Sequence, residues 1–462
     1  MSDAWEIMSA RLDAAAIVGA GEELAGSDLT ATIDTSASAL RDAGVEAGQA
    51  VAIVLPQDVA LPVAMLSVWA AGGVPLPLDA RLPRAEIASA IAKAGAAFAV
   101  ATSDPGISWM TPRGEARGRA DGPRRPGRDA LLLGTSGTAG RPKIAAISAD
   151  AVRVIRDRVP LGPDQTFLAA LPLTHAFGLF VGLLAPLALG GRTVVTDWSD
   201  PAATIALGTR NRAGVMPAVP RMVTQLLRAE LSDLGSIRVV IVGGAPAKTE
   251  ELIALQERHQ IIVGYGYGMT ETAAVTTLNL HIAEKPGSVG RPFRGVEIRI
   301  AGKDRTPLPA GETGEVWLRD TAVSSGYIGE GPAAGSDGWL RTGDLGFLDE
   351  ENYLTIIGRE KDIIITSGYN VVPSEVEAVL ESFPGIAEAA VFGRAHAELG
   401  EEVVALVVPD DGAGLDLDAL RVHARERLAH YKVPRTIAVG HRALPRTSVG
   451  KVVRWRVAQE VS

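Results

Sequence analysis

The segment Gly134-Thr-Ser-Gly-Thr-Ala-Gly-Arg-Pro-Lys143 packs three glycines and three hydroxyls into ten residues. Glycines let successive backbone N–H groups converge on an anion, and hydroxyls add donors, so Thr135, Ser136, Gly137, Thr138, Gly140 and Lys143 form a candidate triphosphate cradle. The spacing is not that of a Walker loop. More than three hundred residues later, Leu444-Pro-Arg-Thr-Ser-Val-Gly-Lys451 offers a cation that could be brought to such an anion. Between them Tyr267-Gly-Met-Thr-Glu271 places an aromatic face, a hydroxyl and a carboxylate within five residues. The fragments Gly243-Gly-Ala-Pro246, Arg341-Thr-Gly-Asp344 and Gly358-Arg359-Glu-Lys361-Asp362 complete a set suited to a nucleotide.

These segments need elements to hold them. Short apolar runs ending in Gly or Pro alternate with longer helical patterns, the βαβ signature of a mostly parallel sheet. Residues 51–55, 239–242 and 261–263 read as the clearest strands. Two of them are expected to run directly into Gly-rich turns, at 243–246 and 264–268, facing one crevice beyond the carboxyl ends of the strands. Residues 59–78 carry no charge, but Pro62, Gly72-Gly73, Pro75 and Pro77 argue for a buried helix followed by a strand instead of a membrane span. From Gly287 to Leu354 short strands with Gly, Pro and Asp turns suggest a small β-barrel-like subdomain. Beyond Asp362 a helix is expected over 373–380, with Ser374 as its N-cap, followed by strands at 389–392 and 403–408. The fold class is thus α/β: a large N-terminal domain (1–358), a hinge (359–362) and a small α+β C-terminal domain (363–462).

Composition excludes several classes. An apolar fraction of 47% and a charged fraction of 21% over 462 residues describe a globular chain with a large core. A net charge of −9 without a Lys/Arg-rich run argues against nucleic acid, and the Arg residues between 113 and 128 read as a solvated loop. Cysteine is absent, which removes disulfides, thiolate metal sites and a cysteine nucleophile. The N-terminal residues show no signal-peptide pattern, so a soluble cytoplasmic protein is expected.

In this order, the motifs resemble those of the adenylate-forming superfamily, which contains acyl-CoA synthetases, firefly luciferase and peptide-synthetase adenylation domains. The resemblance covers nearly the whole chain, with Gly134 where the family usually has an aromatic and Ile144 where it usually has glycine. It implies that Tyr267 stacks on adenine, that Gly244, Ala245 and Pro246 edge the base, that Gly268 belongs to the same site, and that Thr270 contacts the α-phosphate. By the same resemblance Glu271 helps hold Mg²⁺, Asp344 accepts the ribose hydroxyls and Arg359 points donors at ribose or phosphate. Lys451 is implied to bridge the substrate carboxylate and the α-phosphate, and Lys361 to be the hinge. His175, in Leu171-Pro-Leu-Thr-His-Ala-Phe-Gly178, would be an ordinary core histidine if taken alone. The resemblance places it at the floor of an acyl pocket with Ala176, Phe177, Gly243, Ala273, Ala274 and Val275.

The implied reaction has two halves. A carboxylate attacks the α-phosphate of MgATP, releasing pyrophosphate, and a thiol then attacks the acyl-adenylate, releasing AMP. Between halves the mobile C-terminal domain would withdraw Lys451 and bring Gly368 and Tyr369 to line a pantetheine tunnel. Coenzyme A is the expected acceptor, because residues 366–377 resemble acyl-CoA synthetases; a carrier protein or an adenylate-binding regulator without activity are the alternatives. No aspartate stands where amino-acid-activating relatives hold an α-ammonium, which points to a plain, bulky, apolar acid.

Overall fold

The computed structural model describes the chain except for residues 1, 104, 106–107, 113–115, 119–128, 136–142, 160–161, 163, 230–232, 411–413, 448–451 and 462. Two compact units emerge: residues 1–297 with 318–340, and residues 298–317 with 341–462.

The first unit is built on a nine-stranded sheet, in the order Arg291–Pro292, Thr277–Asn279, Ile262–Tyr267, Val239–Val242, Val215–Ala218, Thr166–Ala169, Arg192–Val195, Ala16–Val18 and Glu23–Ala25. Its central strands are parallel and its two ends antiparallel. A second sheet carries Val74–Asp79, Ala50–Leu55, Phe98–Ala101 and Ser108–Met110 in parallel, with Ala116–Arg117 antiparallel at the edge. Parallel strands covered on both faces must be apolar throughout, and Ala50–Leu55 is buried along nearly all its length. Helix Ala60–Ala71 is enclosed all round and Val74–Asp79 follows it, as the interrupted apolar run predicts. Gly72 reverses the chain between them in a left-handed conformation, φ 91°.

Strand Ile262–Tyr267 corrects the sequence reading. Residues 264–268 are not a turn: through Tyr267 the chain stays extended, pairing with Val239–Val242 on one side and Thr277–Asn279 on the other. Its glycines answer to close neighbours. A Cβ on Gly264 would lie 3.1 Å from the side chains of Leu278 and Leu280, and one on Gly266 would lie 3.0 Å from the Thr277 carbonyl oxygen. The turn begins only at Gly268.

A three-stranded antiparallel sheet, Gly326–Tyr327, Lys143–Ser148 and Asp129–Thr135, carries the candidate phosphate loop as a hairpin connection. The apolar run at 130–133 therefore extends through Gly134 and Thr135 as strand.

In the second unit Glu297–Ala301, Gly314–Arg319, Leu340–Leu348 and Leu354–Arg359 form a four-stranded sheet. A further sheet orders Tyr369–Val371, Ile364–Thr366, Gly400–Pro409 and Ile386–His396, with Thr436–Val439 parallel to Gly400–Pro409. The long hairpin of this sheet runs well beyond the expected 389–392 and 403–408, because its inner face is covered by helices Pro373–Glu381 and Leu417–Arg427 through a common apolar cluster. Ser374 is not an N-cap. Helix Pro373–Glu381 has Val372 at that position and Pro373 at its first turn, where a missing N–H costs nothing; the Ser374 hydroxyl donates instead to Ile357 O at 2.5 Å.

Candidate active site

In the first unit, strands Val239–Val242 and Ile262–Tyr267 deliver their following segments side by side. A Cβ on Gly243 would lie 3.1 Å from Gly266 O and 3.5 Å from the Phe177 ring, so Phe177 lies across the Gly243-Gly244 turn. Gly244 adopts φ 83°. Tyr265 pins the rest of this loop: its hydroxyl accepts from the Ala247 N–H at 3.0 Å and donates to Ala245 O at 3.4 Å. Burial pushes the Tyr265 phenol up, which keeps it a neutral donor.

After Tyr267 the chain folds back on itself. A Cβ on Gly268 would sit 2.1 Å from the Ala274 carbonyl oxygen, so only glycine fits. Thr270–Thr272 forms a 3-10 turn, with the Met269 N–H donating to Thr272 Oγ1 at 3.2 Å. Ala273 and Ala274 then both take left-handed conformations, φ 57° and 74°, a strain of about 1–2 kcal/mol for each residue bearing a Cβ. Arg158, buried on helix Ala149–Arg158, holds this turn. Its Nη1 donates to Thr272 O at 3.3 Å and Val275 O at 3.1 Å, and its Nη2 meets both oxygens of Asp320 at 2.6 Å.

Glu271 is 6% exposed. Its Oε1 accepts from the Tyr327 hydroxyl, its backbone carbonyl accepts from the Ser324 N–H at 2.7 Å, and its Oε2 makes no hydrogen bond among the described residues. Lys143 Nζ stands 4.7 Å from the Tyr327 ring centroid and 2.8 Å from Glu330 Oε2. Thr135 pairs with Lys143 across the hairpin, its hydroxyl 3.4 Å from Lys143 O. The two described ends of the phosphate loop are thus brought together; Ser136, Gly137, Thr138 and Gly140 lie outside the described residues, as does Lys451. Of the two departures from the family pattern, Gly134 has no described residue within 4 Å of where a side chain would begin, and Ile144 is buried in an apolar cluster.

His175 stands on a loop held by Gln57, whose side-chain amide donates to Leu171 O at 2.9 Å and Thr196 O at 2.6 Å and accepts from the Leu173 N–H at 2.9 Å. A Cβ on Gly178 would meet Pro172 O at 2.4 Å, and from this glycine a buried π-helical stretch, Gly178–Leu184, runs into the core. Asp79 ends the neighbouring strand. Burial opposes its ionisation, but hydrogen bonds and charge from Arg81, with a smaller contribution from His175, hold the carboxyl below the usual range. Ala176 and Val275 are buried and Ala273 is fully enclosed in the main core, while Ala274 and Phe177 remain half-buried.

The second unit holds the remaining candidates. Asp344, 4% exposed, lies within strand Leu340–Leu348 opposite Arg359. Arg359 Nε donates to Asp344 Oδ1 at 2.7 Å, so this guanidinium is directed at the aspartate. Glu315 braces the approach: it accepts from Arg341, from Trp317 Nε1 at 2.8 Å and from the Gly343 N–H at 3.3 Å. Lys361 occupies the exposed 3-10 turn Glu360–Asp362. Ser367 and Gly368 form the two-residue tip of a hairpin, with φ 49° and 81°, the left-handed pair that such a tip requires. Tyr369 follows, 49% exposed and stacked on Tyr431 with ring centroids 4.3 Å apart.

Sequence reasoning missed Tyr265, Arg158, Asp320, Tyr327 and Gln57, which act through partners distant in the chain. Glu315 falls inside a recognisable Gly-Glu-Val-Trp strand, but nothing in that string names its partners.

A buried carboxylate beside a Gly/Thr hairpin, with glycine turns at the ends of adjacent parallel strands, is the architecture of an adenylate-forming enzyme. Residues 5–328 match the family model described as AMP-binding enzyme, and residues 375–451 that of the AMP-binding enzyme C-terminal domain; the chain belongs to the AMP-binding enzyme family. It is 34% identical to a feruloyl-CoA synthase of Amycolatopsis sp, over 98% of this chain and 97% of that one. It is 30% identical to 4-coumarate--CoA ligase 5 of Oryza sativa subsp. japonica, over 97% and 92%. Among solved structures, ATP-bound MatB from Rhodopseudomonas palustris superposes with a TM-score of 0.89 at 30% identity, covering 100% of this chain and 99% of that one. The amide bond synthetase McbA from Marinactinospora thermotolerans gives 0.88 at 30% identity, covering 99% of this chain and 100% of that one. The chain is accordingly an AMP-forming acid–thiol ligase of the acyl-CoA synthetase type. Among the described residues no helix is long and apolar enough to cross a membrane.

Proposed function

We propose that this chain activates a bulky, apolar carboxylic acid with ATP and transfers the acyl group to coenzyme A. The observation that carries the choice of acid is the Phe177 ring laid over Gly243-Gly244, with Ala176 beside it in sequence and no acidic side chain among residues 171–178. An α-ammonium removed from water there would find no carboxylate within residues 171–178 to pair with. The relatives matched over nearly their whole length are named for feruloyl and 4-coumarate thioesters, which supports an aromatic or similarly large acid.

In this reading Tyr267 stacks on adenine, Gly244, Ala245 and Pro246 border it, and Asp344, steadied by Arg359, accepts from the ribose. The 135–143 hairpin cradles the β- and γ-phosphates and Thr270 meets the α-phosphate. Glu271 fits a magnesium ion: it is a buried carboxylate with one oxygen engaged by Tyr327 and the other directed to no described partner, and Mg²⁺ favours one or two carboxylates plus phosphate oxygens. When bound, the ion would neutralise phosphate charge. Lys451 holds the carboxylate against the α-phosphate and stabilises charge that builds there. His175 and Phe177 orient the acid, and the main-chain cradle excludes water. Lys361 serves as the hinge between a functional N-terminal portion (1–358) and a C-terminal portion (363–462), bringing the Gly368-Tyr369 tip to the thiol for the second half.

The test is a panel of carboxylic acids assayed for pyrophosphate release, with mass spectrometry of products formed with coenzyme A, a carrier protein or an amine as acceptor. The reading expects a large aromatic or aliphatic acid to lead in kcat/KM and to yield a CoA thioester. Preference for acetate or malonate over every large acid would refute the assignment of substrate, and an amide formed faster than the thioester would move the chain toward the chemistry for which McbA is named.

A further inference from the structure

We propose that Tyr327 is a positioning residue for the nucleotide half-reaction: its hydroxyl fixes the carboxylate of Glu271, and its ring face seats Lys143 at the end of the phosphate hairpin. The proposal rests on Glu271 as the magnesium carboxylate.

Tyr327 is locked before it makes either contact. The short strand Gly326–Tyr327 pairs antiparallel with Lys143–Ser148, Gly326 opposite Ala146 and Tyr327 opposite Ala145. The Ser325 N–H donates to Ala146 O and the Ile328 N–H to Ile144 O, both at 2.9 Å, so the chain is fixed on either side of the ring. Gly326 enters the strand at φ 136°, and a Cβ there would lie 2.5 Å from Gly331 O. Only glycine permits this entry, and the entry decides which way the next side chain points.

From this base one segment grips two groups of the site. Ser324 donates its N–H to the Glu271 carbonyl and Tyr327 donates its hydroxyl to Glu271 Oε1, so both the main chain and the side chain of Glu271 are held from the same short stretch. Lys143 Nζ lies over the Tyr327 ring and reaches Glu330 Oε2, three residues further along. A carboxylate that is 6% exposed and engaged at one oxygen cannot rotate freely, so its other oxygen is aimed in advance. Partners of this kind, outside the ligand shell but bonded to it, commonly change metal affinity 10- to 100-fold when removed.

The two contacts separate chemically. Tyr327→Phe keeps the ring face under Lys143 and removes the donor to Glu271; Tyr327→Leu removes both. Manganese, followed by electron paramagnetic resonance, would be titrated into the full-length protein holding a saturating non-hydrolysable ATP analogue, with Glu271→Gln in parallel. Tyr327→Phe should raise the manganese Kd about 10-fold and leave analogue affinity without metal unchanged. Adenylation by this variant should recover at high Mg²⁺, while thioester formation from synthetic acyl-adenylate stays at the parent rate. Tyr327→Leu should in addition weaken metal-free analogue binding, through Lys143. A manganese Kd within twofold of the parent in Tyr327→Phe, with Glu271→Gln clearly weakened, would overturn the role of Tyr327 alone. No change in either variant would overturn it together with the assignment of Glu271.

Discussion

Replacing Arg158 by Met should be among the most damaging single changes outside the reacting groups. The side chains of Arg158 and Asp320 are 4% and 1% exposed, and one guanidinium nitrogen meets both carboxylate oxygens at 2.6 Å. Removing one partner of a buried pair strands the other charge and costs about 3–5 kcal/mol. Met fills much of the volume, so a cavity adds little. The carbonyls of Thr272 and Val275 also lose their charged donor, at about 1.5–3 kcal/mol for each such bond, although these losses overlap with the first and do not simply add. Among the described residues the Asp320 carboxylate would keep one hydrogen bond, from the Ala322 N–H at 3.0 Å.

Function should fall alongside stability. Ala273 and Ala274 stay left-handed because their surroundings over-determine them, and Arg158 grips the carbonyls of Thr272 and Val275 on either side. Once it is gone the turn can relax, and Glu271 moves with it. A displacement of about 1 Å near reacting groups can cost on the order of 100-fold in rate. Urea unfolding followed by tryptophan fluorescence, together with kcat/KM for the preferred acid, provides the assay. The double variant Arg158→Met, Asp320→Asn should regain a substantial part of the lost stability but not the activity, since it removes the stranded charge without restoring the grip on the carbonyls. A loss below about 1 kcal/mol in the single variant would refute the reasoning, as would a double variant no more stable than the single one.

Lys451→Ala should slow adenylate formation about 100- to 1000-fold while sparing thioester formation from synthetic acyl-adenylate; equal slowing of both halves would remove the lysine from its assigned step. Asp344→Ala should weaken ATP binding measured by calorimetry, by about 1.5–3 kcal/mol for each hydrogen bond lost from the charged acceptor, and unchanged affinity in a folded variant would leave Asp344 as a partner of Arg359 only. Asp79→Asn tests a pH dependence. The Asp79 carboxyl titrates below its ordinary 3.8, so its contribution to stability is present above that value and lost as pH falls through the lower folded value. The gap in Tm between parent and variant should therefore narrow in acid, and a constant gap from about pH 7 to about pH 3 would show that the charge is not its source.

The fold was largely legible because its signals are local. Apolar runs at 51–55 and 239–242 punctuated by Gly or Pro mark strands whatever the rest of the chain does, and the buried helix and strand within 59–78 follow from where the prolines and glycines fall. Residues 264–268 misled for an instructive reason: glycine there serves the close approach of Leu278, Leu280 and the Thr277 carbonyl, and sequence alone does not distinguish a glycine that turns from one that yields space. Ser374 misled similarly, since a serine before a helical pattern promises a cap but here its hydroxyl found Ile357 O first. In the candidate site, the groups proposed to meet ligands stand out as motifs. The groups that hold them were not: Tyr327 is 56 residues from Glu271 and Asp320 is 162 from Arg158, separations at which no periodicity or spacing rule operates.

The alanines after Glu271 show how a residue can be small for more than one reason. As a sequence, Ala273 and Ala274 suggest a roomy acyl pocket. In the structure both sit at positive φ, where a β-branched or bulky side chain would meet the adjacent carbonyl, so backbone geometry demands small residues before any ligand is considered. Glycine would be easier there, yet the Ala273 methyl is wholly enclosed in the main core, and burying such a group returns about 0.8 kcal/mol against the strain. Gly268 completes the constraint, because the chain approaches itself too closely there for any Cβ. The turn is therefore held in place by Arg158 through two of its carbonyls and by the close self-approach at Gly268. On the reading proposed above, selectivity among acids would fall to Phe177 and Ala176, which stand on a loop fixed independently by Gln57, so that this wall could vary without disturbing the turn that carries Glu271.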